Sequence, residues 1–185
     1  MFEYEGKLYA RVSDIIRPFC CFGHIDPVVL DNKARIGTEV HKLIADDLDG
    51  EFVIPSDETR GYFNSYLRWK KEIKPKFLQW EKRFFCQDKM LTGQIDAIIK
   101  MPDELVPVLM DFKTSVQESP VSWGMQGHLY RYLLLKNKVD VGDRFLFLRL
   151  NKDGLDPKVH AYKLDSYIHQ KCMTAIEDFW KTEKK

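Results

Sequence analysis

Three residues have the types and spacing to do chemistry together: Asp96 in the run QIDAII, Asp111 in VPVLMDF, and Lys113 two places beyond Asp111. Both runs are strongly apolar, so each acid is carried to a buried or cleft-lining position, where an unpaired charge is costly. The runs read as neighbouring strands joined across the turn signal MPDE. If that turn centres between Asp103 and Glu104, Asp96 falls directly opposite Asp111. Facing side chains on antiparallel strands have Cβ atoms roughly 4.5–5.5 Å apart. Two carboxylates at that separation repel unless a cation lies between them, and hard oxygen donors suit Mg²⁺ or Mn²⁺. Lys113 shares a strand face with Asp111, because side chains alternate with a period of two. Its ammonium can orient an attacking water and stabilise charge on a phosphate, with the ion as Lewis acid. Taken alone, DFK would favour a surface ion pair; the apolar flanks reverse that and favour the site.

Such strands need a scaffold, and the chain signals one. GKLYARVSDIIRPF reads as a short strand and then a helical turn capped at Ser13 and stopped by Pro18. Asp26 caps a long helix over 27–48, with Pro27 at its first position and Gly50 just past its end. Ser56, Asp57 and Glu58 open a second helix that ends near Pro75. The period then changes: 77–87, 91–100 and 105–113 are short runs of β-branched and aromatic residues, which read as strands. Ser119 and Pro120 open a helix to about Asn137, strands follow at 144–150 and 159–162, and Asp165 caps a terminal helix. This order implies an α/β sandwich, a central mixed β-sheet flanked by helices. A chain of 185 residues is expected to fold as one domain. Its helical part is 1–75, its catalytic sheet 76–163, and its C-terminal helix 164–185.

Composition narrows the setting. The net charge of +1 gives no overall pull towards nucleic acid, so any such pull must be local. Residues 68–76 (RWKKEIKPK) and the Lys-rich C-terminus are such patches, although charge runs often are solvated helix faces. The chain lacks a signal peptide and a long apolar segment, so a cytoplasmic protein with free thiols and no membrane partner is expected. Cys20, Cys21 and His24 lie close in sequence but lack the second ligand pair a zinc site needs. The nucleotide-binding pattern GxxxxGK[ST] is absent, so any motor would be a separate chain.

Taken together, the blocks form a familiar order. Gly37-Thr38-Glu39-Val40-His41, then Gly93-Gln94-Ile95-Asp96, then Asp111-Phe112-Lys113-Thr114-Ser115, then Gln126 and Tyr130, resemble the RecB-type exonuclease branch of the PD-(D/E)XK nucleases, known from phages and bacteria. The blocks span 37–130, and the usual Pro-Asp is Ile95-Asp96 here. The resemblance implies a restriction-endonuclease-like core and a DNase that uses Mg²⁺ or Mn²⁺, acting in recombination, repair or phage DNA processing. By the same resemblance, His41, Asp96 and Asp111 are metal ligands and Phe112 lends its backbone carbonyl to the ion. Lys113 is the catalytic lysine, Glu81 an additional upstream acid, and Gln126 and Tyr130 a QxxxY helix that meets DNA. Spacing supports part of this: Gly37, Val40, His41, Ile44 and Leu48 form one helix stripe, as do Trp123, Gln126 and Tyr130. A histidine on such a stripe is otherwise a core residue. Some relatives carry an iron–sulfur cluster on one upstream and three C-terminal cysteines. Only Cys172 lies beyond the blocks here, so no cluster is expected. DNA is the expected partner, with a homo-oligomer or a separate helicase or recombination protein beside it. The rival readings are a structure-specific endonuclease and a catalytically silent nuclease-fold module that binds DNA or a protein.

Overall fold

The computed structural model describes residues 1–20 and 25–183. Strands β1 (Phe2–Tyr4) and β2 (Lys7–Arg11) form a hairpin, and α1 (Val12–Ile16) follows directly. Helices α2 (Pro27–Leu48) and α3 (Asp57–Ile73) precede β3 (Lys76–Cys86), β4 (Leu91–Lys100) and β5 (Val108–Lys113). Then come α4 (Pro120–Lys136), β6 (Arg144–Arg149), β7 (Lys158–Lys163) and α5 (Ser166–Glu183). Together the strands form one mixed sheet in the order β1-β2-β4-β5-β6-β7, with β3 paired to β4. This is the expected α/β architecture, a central mixed sheet flanked by helices.

Side-chain alternation sorts the sheet into two cores. On β6, Phe145 and Phe147 join the core that contains α1, α4 and α5 residues. Leu146 and Leu148 join the core built with α2 and α3. On β5, Val108, Met110 and Phe112 face the second core and Leu109 the first. Asp111 and Lys113 keep the parity of Leu109 and so face α4. β4 departs from this rule. Ile95 and Ile98 both enter the first core while Ala97 and Ile99 enter the second, so the alternation slips by one residue at Asp96.

The slip falls where β4 changes neighbours. β3 covers one edge of β4 along its length, and β2 and β5 divide the other. β2 takes Leu91 and Thr92, and β5 takes Ala97 to Ile99. Among the described residues no strand pairs with that edge between these two, over 93–96. The pairs Ala97↔Met110 and Ile99↔Val108 have the register expected from a turn centred at Asp103-Glu104. The ladder stops just before Asp96 and Asp111 would face each other. There Asp96 Oδ2 accepts the Phe112 backbone N–H at 2.8 Å, a side chain standing in for a strand partner.

Two glycines let α4 lie close to the sheet. A Cβ on Gly93 would stand 2.8 Å from the Tyr130 ring, and one on Gly127 would stand 2.2 Å from the Phe145 ring. Gly127→Ala therefore sets two effects against each other. Alanine favours a helix by about 1 kcal/mol over glycine. Overpacking costs about 1–3 kcal/mol, and Phe145 is pinned by contacts with His128, Phe147 and Tyr162. The expected result is a net loss, with Tm lower by on the order of 2–8 °C in a thermal melt. A raised Tm would show that the ring has room to move.

Several boundaries differ from the sequence reading. β1 carried no signal of its own. The first helical turn is capped by Arg11 rather than Ser13: Asp14 accepts the Arg11 backbone N–H at 3.0 Å and binds its guanidinium as well. β5 begins at Val108, not Leu105, because Pro107 has no N–H to give a ladder and Leu105 is 91% exposed. Ser56 precedes α3 but makes no cap bond; its hydroxyl donates to Glu39 instead. Asp26 and Asp165 do cap their helices, accepting from Val28 N and Ile168 N. Cys21 and His24 of the considered zinc cluster lie outside the described residues. No helix among the described residues is long and apolar enough to cross a membrane.

Candidate active site

His41 is carried on the buried stripe of α2, between Val40 and Ile44. Its Nε2 lies 3.0 Å from the Phe112 carbonyl oxygen. Its Nδ1 lies 3.4 Å from Asp96 Oδ1 and 3.7 Å from Glu81 Oε1. A hydrogen on Nε2, given to the Phe112 carbonyl, leaves the Nδ1 lone pair of the neutral ring facing both acids. Glu81 stands opposite Asp96, since its neighbours pair as Trp80↔Ala97 and Lys82↔Ile95. Its φ of 48° is a left-handed conformation that non-glycine residues adopt at some cost. This turn on β3 accompanies the slip on β4, so both strands are irregular at the acids.

The other half of the site lies towards α4. Lys113 Nζ is 2.6 Å from Asp111 Oδ2 and donates to Gln126 Oε1 at 2.8 Å. Gln126 Nε2 in turn donates to Asp111 Oδ1 at 2.7 Å and lies 3.2 Å from the Tyr130 hydroxyl. The helix spacing of Gln126 and Tyr130 places both over Lys113. Asp96 and Asp111 are buried, as their apolar flanks require, with 7% and 2% exposed.

Burying this much charge shifts its protonation. Burial alone would lower the His41 pKa, but attraction to Asp96, Glu81 and Asp111 outweighs it and holds the ring well above its ordinary value. Burial likewise opposes ionisation of Asp96, yet His41, Lys113 and the Phe112 N–H bring it below the usual carboxylate value. Asp111 goes the other way. Burial and the Asp96 charge push it up to about 6, against the pull of Lys113. Burial beside these acids also keeps the Tyr130 phenol protonated far into the alkaline range.

Two observations bear on whether these residues fit a divalent ion. His41, Glu81 and Asp96 each offer a ligand atom, and these atoms lie within 4.8 Å of one another. One nitrogen and two carboxylate oxygens form a donor set that suits Mn²⁺, and also Mg²⁺ with added oxygens. Asp111 Oδ2 is buried and receives no aligned hydrogen bond, although the Lys113 ammonium is near. A buried anionic oxygen in that state is open to a cation. The residues fit. Asp111 is nevertheless not among the three: the slip at Asp96 turns its carboxylate towards His41 and Glu81, while Asp111 faces Lys113 and Gln126. The Phe112 carbonyl has His41 Nε2 as its neighbour, with a second lone pair remaining.

Sequence reasoning gave no role to Gln94 or Arg83. Gln94 Nε2 donates to Glu81 Oε2 at 2.5 Å, and Arg83 Nη2 donates to Gln94 Oε1 at 2.7 Å. Gln94 stood inside a block that drew notice, but its partners follow from the β3–β4 register alone. Of the basic run at 68–76, Arg68 and Lys70 are engaged by Asp156 and Asp47. Trp69 is buried in the core.

The chain belongs to the PD-(D/E)XK nuclease superfamily, whose sequence profile matches residues 54–180. This is a superfamily of phosphodiester-cleaving hydrolases that use divalent metal ions. His41 precedes the matched span, so its place in the site rests on geometry and on the resemblance. Among solved structures the chain is similar to LHK-Exo in complex with dAMP, at 12% identity and a TM-score of 0.51, covering 94% of this chain and 87% of that one. It is also similar to a second structure, of the alkaline exonuclease LHK-Exo from Laribacter hongkongensis. That match has 11% identity, a TM-score of 0.48 and the same coverage of each chain. No curated protein matches the sequence significantly.

Proposed function

We propose that this chain hydrolyses DNA phosphodiester bonds with Mg²⁺ or Mn²⁺ and works as an exonuclease at DNA ends, in recombination, repair or phage DNA processing. The observation that carries the reading is the convergence of His41, Glu81 and Asp96 beside the buried Asp111–Lys113 pair. His41 Nδ1, Glu81 and Asp96 would hold the ion, with Asp111 and the Phe112 carbonyl next to them. When bound, the ion supplies a Lewis acid and lowers the pKa of water. Lys113 has three hydrogens on Nζ and gives one to Gln126, with the Asp111 carboxylate beside it. A further hydrogen is left for the attacking water or a phosphate oxygen. Gln126 fixes that aim by bonding Lys113 and Asp111 at once, and Tyr130 fixes Gln126. The exonuclease reading is supported by the resemblance of the four blocks to the RecB-type branch.

The test is digestion of end-labelled linear DNA, single- and double-stranded, alongside covalently closed circles. Linear DNA is expected to be degraded with Mg²⁺ or Mn²⁺ and spared in excess chelator. Ca²⁺ should support little cleavage, because its larger and looser shell positions ligands less strictly. Closed circles should survive. Cutting of circles or of branched junctions alone would replace the exonuclease with an endonuclease, and full cleavage in chelator would remove the metal site. DNA retention without cleavage under every condition would point to the silent module.

A further inference from the structure

Glu81 has two carboxylate oxygens with different surroundings. Oε1 faces His41 Nδ1, while Oε2 accepts the Gln94 side-chain N–H at 2.5 Å. Gln94 is then held at its other end, where Oε1 accepts from Arg83 Nη2 at 2.7 Å. The Arg83 guanidinium lies 4.2 Å from the centre of the Phe2 ring, which caps it from β1. Phe2 itself contacts Phe85, and Phe85 packs against Tyr4 and Tyr9 of the same N-terminal hairpin. Arg83 and Gln94 are direct cross-strand partners, and Glu81 lies two residues along β3 from Arg83, on the diagonal.

A carboxylate at a left-handed backbone position, on a strand whose alternation breaks there, has little in its own backbone to fix its aim. We propose that Phe2, Arg83 and Gln94 form a relay that positions Glu81 for metal binding, so that the N-terminal hairpin supports the active site at a distance. Arg83 and Gln94 touch neither the metal nor the substrate in this arrangement; they are positioning residues. The amide is suited to the task. Its nitrogen donates to Glu81 without neutralising it, as a lysine there would, and its oxygen accepts from Arg83. The Arg83 charge therefore polarises the donor without sitting on the carboxylate. Groups that orient a metal ligand in this way typically contribute 10–100-fold in metal affinity.

This relay rests on the metal-site reading above, so the experiment separates the two. Mn²⁺ alone is titrated into the full chain by calorimetry, and each variant is also melted in chelator. Gln94→Met keeps the length and removes the amide; Mn²⁺ affinity is expected to fall about tenfold. Arg83→Met should weaken it in the same direction by less, with Arg83→Lys nearer to wild type because a cationic donor remains. The double change should cost no more than Gln94→Met alone, since both act along one chain of bonds. Should Gln94→Met fail to fold, Gln94→Asn keeps the amide but is too short to span Arg83 and Glu81, and the same loss is expected. A merely structural role would instead lower the melting point in chelator, leave Mn²⁺ affinity unchanged and make the two changes additive; that result overturns the relay. Glu81→Gln and Asp96→Asn are the reference variants. If they weaken Mn²⁺ binding and Gln94→Met does not, the relay alone fails. If they too leave binding unchanged, the metal site fails and takes the relay with it.

Discussion

Lys113→Ala is expected to lower single-turnover cleavage by about a hundredfold or more, the usual effect of removing one preorganised charge-stabilising group. Metal binding should survive, because Lys113 supplies no ligand atom. Two consequences of the change oppose each other. Loss of the ammonium removes a cation that competes with the metal for Asp111, 2.6 Å away. It also removes a charge that helps Asp111 ionise, and Asp111 already stands at about 6. Where the pH is high enough to ionise the carboxyl in the variant as well, the first consequence wins and affinity should be equal or slightly tighter. DNA binding should weaken little, since one phosphate contact among several is lost. Lys113→Arg should rescue poorly, because a planar guanidinium does not reproduce a compact ammonium held between Asp111 and Gln126. Cleavage and Mn²⁺ titration on the same preparations decide the matter. Wild-type cleavage by Lys113→Ala would reduce the Asp111–Lys113 pair to a structural ion pair.

What made Lys113 legible in the sequence was alternation. Val108, Met110 and Phe112 are apolar and face one core, so Asp111 and Lys113 had to share the other side. The turn at Asp103-Glu104 likewise gave the register that the strands adopt. The same logic missed the slip at Asp96, because Ile95, Ala97, Ile98 and Ile99 put apolar residues at both parities around the acid and no period can be read from them. Its consequence is the grouping of the acids. Spacing placed an ion between Asp96 and Asp111; the fold gathers Asp96 with Glu81 and His41, three residues from three elements. Glu81 owes its place to a left-handed turn inside a strand, which no local residue preference announces. Arg83 and Gln94 were hidden for a related reason. Their pairing follows from the β3–β4 register that runs unbroken from Cys86↔Leu91 to Arg83↔Gln94, a register not assigned from the sequence. Helix ends were legible where an aspartate caps, at Asp26 and Asp165. They were misread at Ser13, where the neighbouring Asp14 serves the Arg11 N–H better.

Metal affinity should depend steeply on pH, and in a higher window than a free histidine would give. His41 must lose its proton to offer Nδ1, and its acidic neighbours hold that proton well above the ordinary value of about 6.5. Mn²⁺ binding should therefore release a proton at neutral pH and weaken by about tenfold for each unit the pH is lowered below the His41 pKa. Near pH 6 the Asp111 carboxyl begins to hold a proton as well, and the dependence should steepen. The stability of the metal-free protein follows the opposite sign. Both groups have folded pKa values above their unfolded ones, so each contributes stability at low pH. That contribution is lost as the pH rises, for Asp111 between about 4 and 6 and for His41 from about 6.5 upward. Bound metal adds stability in proportion to its occupancy. The gap in Tm between Mn²⁺-loaded and chelated protein should accordingly widen from pH 6 to pH 9. His41→Ala should flatten that widening and weaken Mn²⁺ binding at pH 8 while leaving the fold intact. Parallel melting curves across this range, or a His41→Ala protein that unfolds but keeps full Mn²⁺ affinity in its folded fraction, would return His41 to the role of a core residue bonded to the Phe112 carbonyl.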